Sequence, residues 1–177
     1  MSENVIAHSP NQTNSLPPPR AFEVILYGGL TVGVLDILDA ITFFGWYRDM
    51  TPVSVLQSVA GGIYGRDAFS GGAKTAAIGL CLHFLNATII ATVYYLLCRV
   101  LPLLTRYAVS AGLAYGVAVY FVMTYIVVPN SAYGPRKTPI PWPSHVNGLV
   151  GHALLVGLPI ALIARWSAKR RSASGRG

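Results

Sequence analysis

Apolar residues along the chain are gathered into four long runs separated by short polar segments. The runs cover about residues 22–47, 73–98, 107–128 and 146–166, and each is long enough to cross a bilayer, which takes about 20 residues in a helix. Arginine and lysine bracket the runs, and aromatic residues typical of membrane interfaces stand at their ends, namely Trp46, Tyr47, Tyr107 and Trp166. The pattern predicts an all-α, integral membrane four-helix bundle.

A shorter apolar segment, residues 52–65, lies between the first two runs and is too short to span. Thr51 fits an N-cap, and Pro52 would then occupy the first helical position. The segment is therefore predicted to be a short helix at the outer membrane interface. Because it is only weakly amphipathic, a re-entrant segment packed on the bundle is the alternative.

The connection over residues 129–145 holds five prolines. Since proline fixes φ and lacks an N–H donor, this loop cannot continue either neighbouring helix. It is predicted to be a stiff, extended connector across the mouth of the bundle, with a lid as the alternative.

Composition agrees with a membrane protein and leaves no room for a separate soluble domain. Of 177 residues, 53% are hydrophobic and 11% are charged, whereas about a quarter of the residues in soluble domains are charged. Residues 1–21 are polar and proline-rich and are predicted to be a disordered cytoplasmic tail. Residues 22–166 form the predicted four-span domain, and residues 167–177 form a basic cytoplasmic tail.

The formal charge of +7 is better explained by topology than by nucleic acid, because the basic residues are dispersed among apolar segments. With four spans, both termini lie on one side. That side carries eight lysines and arginines and the other side five, so the positive-inside rule predicts cytoplasmic termini in a bacterial inner membrane. The lipid bilayer is the expected partner, and a homo-oligomer or a membrane partner protein remains open.

Five polar residues inside the spans form the candidate site. The first span carries Asp36 and Asp39, and the second carries His83 and Asn86, each pair three residues apart on one helix face. His152 lies in the fourth span. Counting about 1.5 Å per residue from the outer ends brings the three helices' polar groups to similar depths. The sequence therefore predicts an outward-facing polar pocket within the membrane.

Several chemistries suit such a pocket, because an acid in hydrocarbon costs about 2.5 to 3.5 kcal/mol and needs a partner, a proton or water. The pocket could bind or pass a proton, a cation or a small polar ligand. A metal held by Asp36, Asp39, His83 and His152 is an alternative, as is haem held by His83 and His152. A structural or accessory subunit, in which these groups only join helices, is the remaining alternative. No cofactor is specified.

Enzymatic activity is disfavoured by the absence of recognisable catalytic motifs in the sequence. The sequence has no nucleophile motif, no phosphate-binding loop after a strand, and no paired-cysteine metal site. The Glu-x-x-His signature of carboxylate-bridged metal bundles is also missing.

The part of the chain from Gly79 to Trp166 resembles the small YagU-like inner-membrane proteins of bacteria. The resemblance is carried by the stretch LHFLNATIIATVYYLLCRVLP with its His83 and Pro102, and by Gly112, Gly116, Pro129 and the pair Gly151-His152. It implies a four-span inner-membrane protein whose molecular activity is not established. His83 and His152 match that pattern, whereas Asp36 and Asp39 lie outside it.

Overall fold

The computed structural model describes residues 16–135 and 137–174, and within these ranges the chain is helical with no β-strand. Four helices are long and apolar enough to cross a membrane. The predicted all-α four-helix bundle is therefore confirmed, and the chain is a multi-pass membrane protein. The helices, in chain order, are α1 (Glu23–Arg48), α2 (Pro52–Tyr64), α3 (Gly72–Val100), α4 (Leu103–Arg106), α5 (Ala108–Val127) and α6 (Trp142–Ser174).

The short helix α2 begins as its sequence predicts. Thr51 accepts a hydrogen bond from the Ser54 N–H at 3.2 Å, and Pro52 stands in the first turn, where a missing N–H leaves no bond unmade. The helix packs on α3 so closely that a Cβ added at Gly79 would collide with the carbonyl oxygen of Leu56. A continuous helix thus occupies the segment, and it is a packed part of the bundle.

A buried side chain fixes α2 to the start of α3. Gln57 is 5% exposed, and its Nε2 donates to the carbonyl oxygen of Gly72 at 3.0 Å and to Thr75 Oγ1 at 3.4 Å. Thr75 in turn donates to the Ala68 carbonyl at 2.6 Å. These bonds satisfy polar groups that would otherwise be buried without partners. We call the end of the bundle that α2 covers the capped end.

The last helix is longer than the predicted fourth span at both ends. It begins at Trp142, four residues before the predicted start, because Pro143 lies in its first turn, where proline is tolerated. It then continues to Ser174, through most of the segment predicted as a basic tail. Depths along this helix therefore start at Trp142 and not at His145, from which the predicted depth of His152 is counted.

The first and last described segments meet at the opposite end of the bundle, which we call the terminal end. The Arg20 N–H donates to Ser167 Oγ at 2.8 Å, and the Arg171 guanidinium donates to the Pro18 carbonyl at 3.2 Å. Residues 16–20 of the predicted N-terminal tail therefore lie against α6. Residues 1–15 and 175–177, which complete the two predicted tails, lie outside the described residues.

Several of the largest fully buried side chains lie towards the terminal end. Tyr94 and Ile160 are fully buried there, and the Tyr94 and Tyr115 rings meet edge to face at 4.9 Å between centroids. At the same end of the bundle, α5 and α6 approach within backbone contact, because a Cβ at Gly112 would lie 2.8 Å from the Gly157 carbonyl oxygen. Small residues permit such approach in lipid, where dispersion contacts hold helices together.

Candidate functional site

A cavity of about 380 Å³ lies between α1, α3, α5 and α6 near the capped end. Its wall is mostly apolar, and α2 contributes Val55, Ser58, Val59 and Gly62 to it. Ser131 and Tyr133, from the loop after α5, line the same side. The cavity therefore lies in the part of the bundle that α2 and this loop cover.

Four of the five predicted site residues line this cavity. Asp36 comes from α1, His83 and Asn86 from α3, and His152 from α6. All four side chains are partly buried. The structure thus brings together polar groups from three helices that are far apart in sequence.

Asp39, the fifth predicted residue, is not part of the cavity wall. Its Oδ2 accepts a hydrogen bond from Asn147 Nδ2 on α6 at 2.9 Å. Gly151 makes room for this carboxylate, since a Cβ added there would lie 3.1 Å from the same oxygen. Asp39 therefore joins α1 to α6, one turn closer to the capped end than Asp36. Asn147 was not predicted from the sequence, although its amide lies only five residues before His152.

Both cavity histidines are held by main-chain carbonyl groups. His83 Nε2 lies 2.8 Å from the carbonyl oxygen of Gly33 on α1, and His152 Nδ1 lies 2.9 Å from the carbonyl oxygen of Gly148 on its own helix. His152 also opens a π-helical stretch, His152–Gly157, within α6. Such wider turns are often found at functional sites.

The structure shows no ligand cluster for the metal alternative in the part of the chain that it describes, and the haem alternative stays a prediction. Within it, no group of three or more His, Cys, Asp or Glu side chains is arranged to hold a metal ion. The four metal candidates are divided, because Asp39 turns to Asn147 while Asp36, His83 and His152 line the cavity. His83 and His152 each also have one ring nitrogen engaged with a carbonyl group.

His145 forms a second polar group beside the cavity. Its Nδ1 lies 2.6 Å from the Tyr120 hydroxyl, and its Nε2 lies 3.1 Å from the Tyr125 hydroxyl. A neutral imidazole has one donor and one acceptor nitrogen, so one tyrosine donates to the ring and the other accepts from it. The Tyr120 ring also packs edge to face on His152, with centroids 5.6 Å apart. His145 is not among the predicted site residues.

The loop after α5 is fastened to α2 by two hydrogen bonds. The Tyr133 hydroxyl donates to the Ser58 carbonyl at 2.8 Å, and the Ala132 N–H donates to the Gly62 carbonyl at 3.0 Å. The Tyr133 ring lies over Gly61, where any side chain would collide with it. Partial burial raises the pKa of Tyr133, although nearby Arg66 acts in the opposite direction. The first part of the predicted connector is thus a packed section of the cavity wall.

Comparison of the chain with protein-family models found no match, and neither did comparison with curated proteins or with solved structures. The resemblance to the YagU-like proteins therefore stays a prediction.

Proposed function

We propose that this protein binds a small polar organic ligand in the cavity at the capped end. The observation that carries the proposal is the meeting of Asp36, His83, Asn86 and His152 in one cavity of about 380 Å³. Small-molecule sites usually occupy about 300 to 1,000 Å³ and combine apolar walls with a few polar groups. A proton or a bare cation needs far less space.

The proposal places the cavity on the outer side of a bacterial inner membrane. Basic residues are more numerous on the side that holds both termini, which favours a cytoplasmic location for the terminal end. The capped end, where the cavity lies, would then face outwards. Membership of the YagU-like family is part of the same proposal. Passage of the ligand across the membrane would call for an oligomer, since four spans are few for a monomeric transporter.

A purely structural or accessory role is the second candidate, and specific contacts favour it. The His83 ring is hydrogen-bonded to the main chain of α1. Asp39 on α1 accepts a hydrogen bond from Asn147 on α6. Polar contacts of this kind between membrane helices contribute about 0.6 kcal/mol each on average. In that role, filling the cavity would not matter.

The two candidates are separated by a ligand screen on the purified full-length protein in lipid nanodiscs. A library of small amines, alcohols, amides and carboxylic acids is tested for an increase in thermal stability, since a ligand that binds only the folded state stabilises it in proportion to ln(1 + [L]/Kd). Ala40 lines the cavity, so Ala40→Phe serves as the filled variant. We expect at least one compound to stabilise the wild-type protein and to lose its effect in this variant.

Asp39→Asn is the matched folding control, because its new amide oxygen can still accept from Asn147 and the residue does not line the cavity. This variant should respond to ligands as the wild type does. If no compound stabilises the wild-type protein, or if Ala40→Phe folds and responds equally, the binding function is wrong and the structural role is favoured.

A further inference from the structure

The main-chain contacts of the two cavity histidines determine which ring nitrogen carries the proton. A carbonyl oxygen can only accept, so His83 donates from Nε2–H to Gly33 and His152 donates from Nδ1–H to Gly148. In the neutral rings, His83 Nδ1 and His152 Nε2 are then unprotonated acceptors. When neutral, each of these histidines therefore has one unprotonated nitrogen that can accept a hydrogen bond.

Asp36 adds an acceptor without a balancing positive charge. Both ion pairs found in the described part of the chain involve Glu23 at the terminal end, whose carboxylate faces Arg20 and Arg170. No described side chain donates a hydrogen bond to Asp36 or to Asn86. An ionised carboxylate only accepts hydrogen bonds.

The polar side chains of α1, α3 and α6 in the cavity wall thus have more acceptors than free donors, and the Asn86 amide supplies the N–H groups that are not already engaged. The hydroxyl groups of Ser58, Ser131 and Tyr133 donate to main-chain carbonyls. Acceptors left without partners cost about 1 to 3 kcal/mol each when they are removed from water. A ligand that carries several N–H donors and a positive charge satisfies them best. A bare metal ion fits less well, since the described residues contain no group of three or more ligating side chains.

The apolar part of the cavity wall indicates what the rest of the ligand should be. Val32, Ile37, Phe44 and Ile90 present apolar surface to the same cavity. An apolar body of modest size would bury this surface, with a gain of about 25 cal/mol for each Å² removed from water. The wall therefore favours an amphiphilic molecule over a fully polar one.

We propose that the ligand is a small organic cation, an amine with a compact apolar body whose ammonium group donates to Asp36, while the unprotonated nitrogens of His83 and His152 line the same cavity as further acceptors. This inference rests on the proposed binding function and names its ligand class. The ammonium group lies towards α1, α3 and α6, and the apolar body lies against the aliphatic wall.

The test uses three probes of similar size and different charge, namely phenethylammonium, 2-phenylethanol and phenylacetate. Binding to the full-length protein in nanodiscs is measured by isothermal titration calorimetry at pH 7, with empty nanodiscs as the blank for partitioning into lipid. The wild-type protein should bind the ammonium probe at least about tenfold more tightly than the alcohol, and should bind phenylacetate most weakly.

Asp36→Asn should abolish the preference for the ammonium probe while leaving the affinity for the alcohol unchanged. Asp39→Asn, one turn away on the same helix, should keep at least most of the preference. Equal or tighter binding of the alcohol or of phenylacetate by the wild-type protein overturns the cation class and leaves the binding function intact. A preference that persists in Asp36→Asn also overturns it.

Failure of all three probes to bind contradicts the inference as well. The library screen then shows separately whether the cavity binds other classes of molecule, so the two failures are distinguishable.

Discussion

Tyr133 is the residue whose ionisation should report on the contact between α2 and the loop that follows α5. Its hydroxyl donates to the Ser58 carbonyl, and only the neutral phenol can do so. Burial raises its pKa above the ordinary value of 10.0, so the folded state favours the protonated form. The stabilisation is complete below about pH 10 and is lost as the pH rises through the higher pKa of the folded state.

We therefore expect amide hydrogen exchange over residues 58–64 to accelerate in the wild-type protein above about pH 10, beyond the intrinsic effect of pH on exchange. Tyr133→Phe removes the titrating group and the bond together. It should exchange faster at neutral pH and show no further acceleration of this kind at high pH. Identical profiles for the two proteins would mean that this hydroxyl does not hold the loop on α2.

At the scale of single residues, helical spacing predicted which levels the polar groups share but not which way each one turns. Asp36 and Asp39 are three residues apart, which leaves about 60° between them around the helix axis. That angle is enough for one carboxylate to line the cavity and the other to reach Asn147. The rotation of α1 about its own axis depends on its packing against other helices. The spacing of residues within one helix contains no information about that packing.

At the scale of elements, α2 depends on its close approach to α3 at Gly79. Gly79→Ala would place a methyl group against the carbonyl oxygen of Leu56, which is main chain and cannot turn aside. We expect a loss of about 1 to 3 kcal/mol in the free energy of unfolding, measured by reversible denaturation in mixed micelles. Gly62→Ala is the matched control, because an added Cβ there meets nothing within 4 Å.

Both substitutions replace a helical glycine by alanine and so gain a similar amount from helix propensity, about 1 kcal/mol. The difference between them isolates the contact between α2 and α3. Equal stabilities of the two variants would show that α2 does not rest on Gly79.

The existence of α2 followed from its cap, its first-turn proline and its length. The packing of α2 on α3 could not be predicted in the same way. From the sequence, Gln57 is only a polar residue within an apolar segment, and its hydrogen bonds to Gly72 and Thr75 become known only from the structure. The early start of α6 had a similar cause. Trp142 and Pro143 belong to a proline-rich run that predicts extended structure, yet proline is compatible with a first helical turn.

At the scale of the whole molecule, the two ends of the bundle should lie on opposite sides of the membrane. In a Cys81→Ser, Cys98→Ser background, Ser70→Cys reports the capped end and Ser174→Cys reports the terminal end, and both positions are exposed. We expect a membrane-impermeant maleimide to label the cysteine at position 70 in spheroplasts. The cysteine at position 174 should react only after the membrane is opened. The reverse labelling pattern would contradict the predicted cytoplasmic location of the termini. The cavity would then lie on the cytoplasmic side.

The four-helix architecture could be predicted because it follows from composition and run length, properties that need no knowledge of contacts. Exposed aromatic residues agree with it, since Trp46 and Trp142 are 80% and 77% exposed near the capped end, as is usual for side chains at a membrane interface. The depth of the polar groups in the membrane could be predicted from the sequence, but the shape of the cavity could not. Its volume depends on where α2 rests, and that contact joins segments whose sequences show no complementary pattern.

The hydrogen bonds of His83 and His152 to main-chain carbonyls have a consequence for how this site tolerates sequence change. Neither bond depends on the identity of the accepting residue, so substitutions on α1 and α6 that keep the helices in place leave both tautomers unchanged. The limit at position 33 is steric, since a Cβ there would lie 2.5 Å from the Phe84 ring. The backbone thus determines which histidine nitrogens are unprotonated. Substitutions in the apolar wall can therefore change which molecules fit without changing these two acceptors.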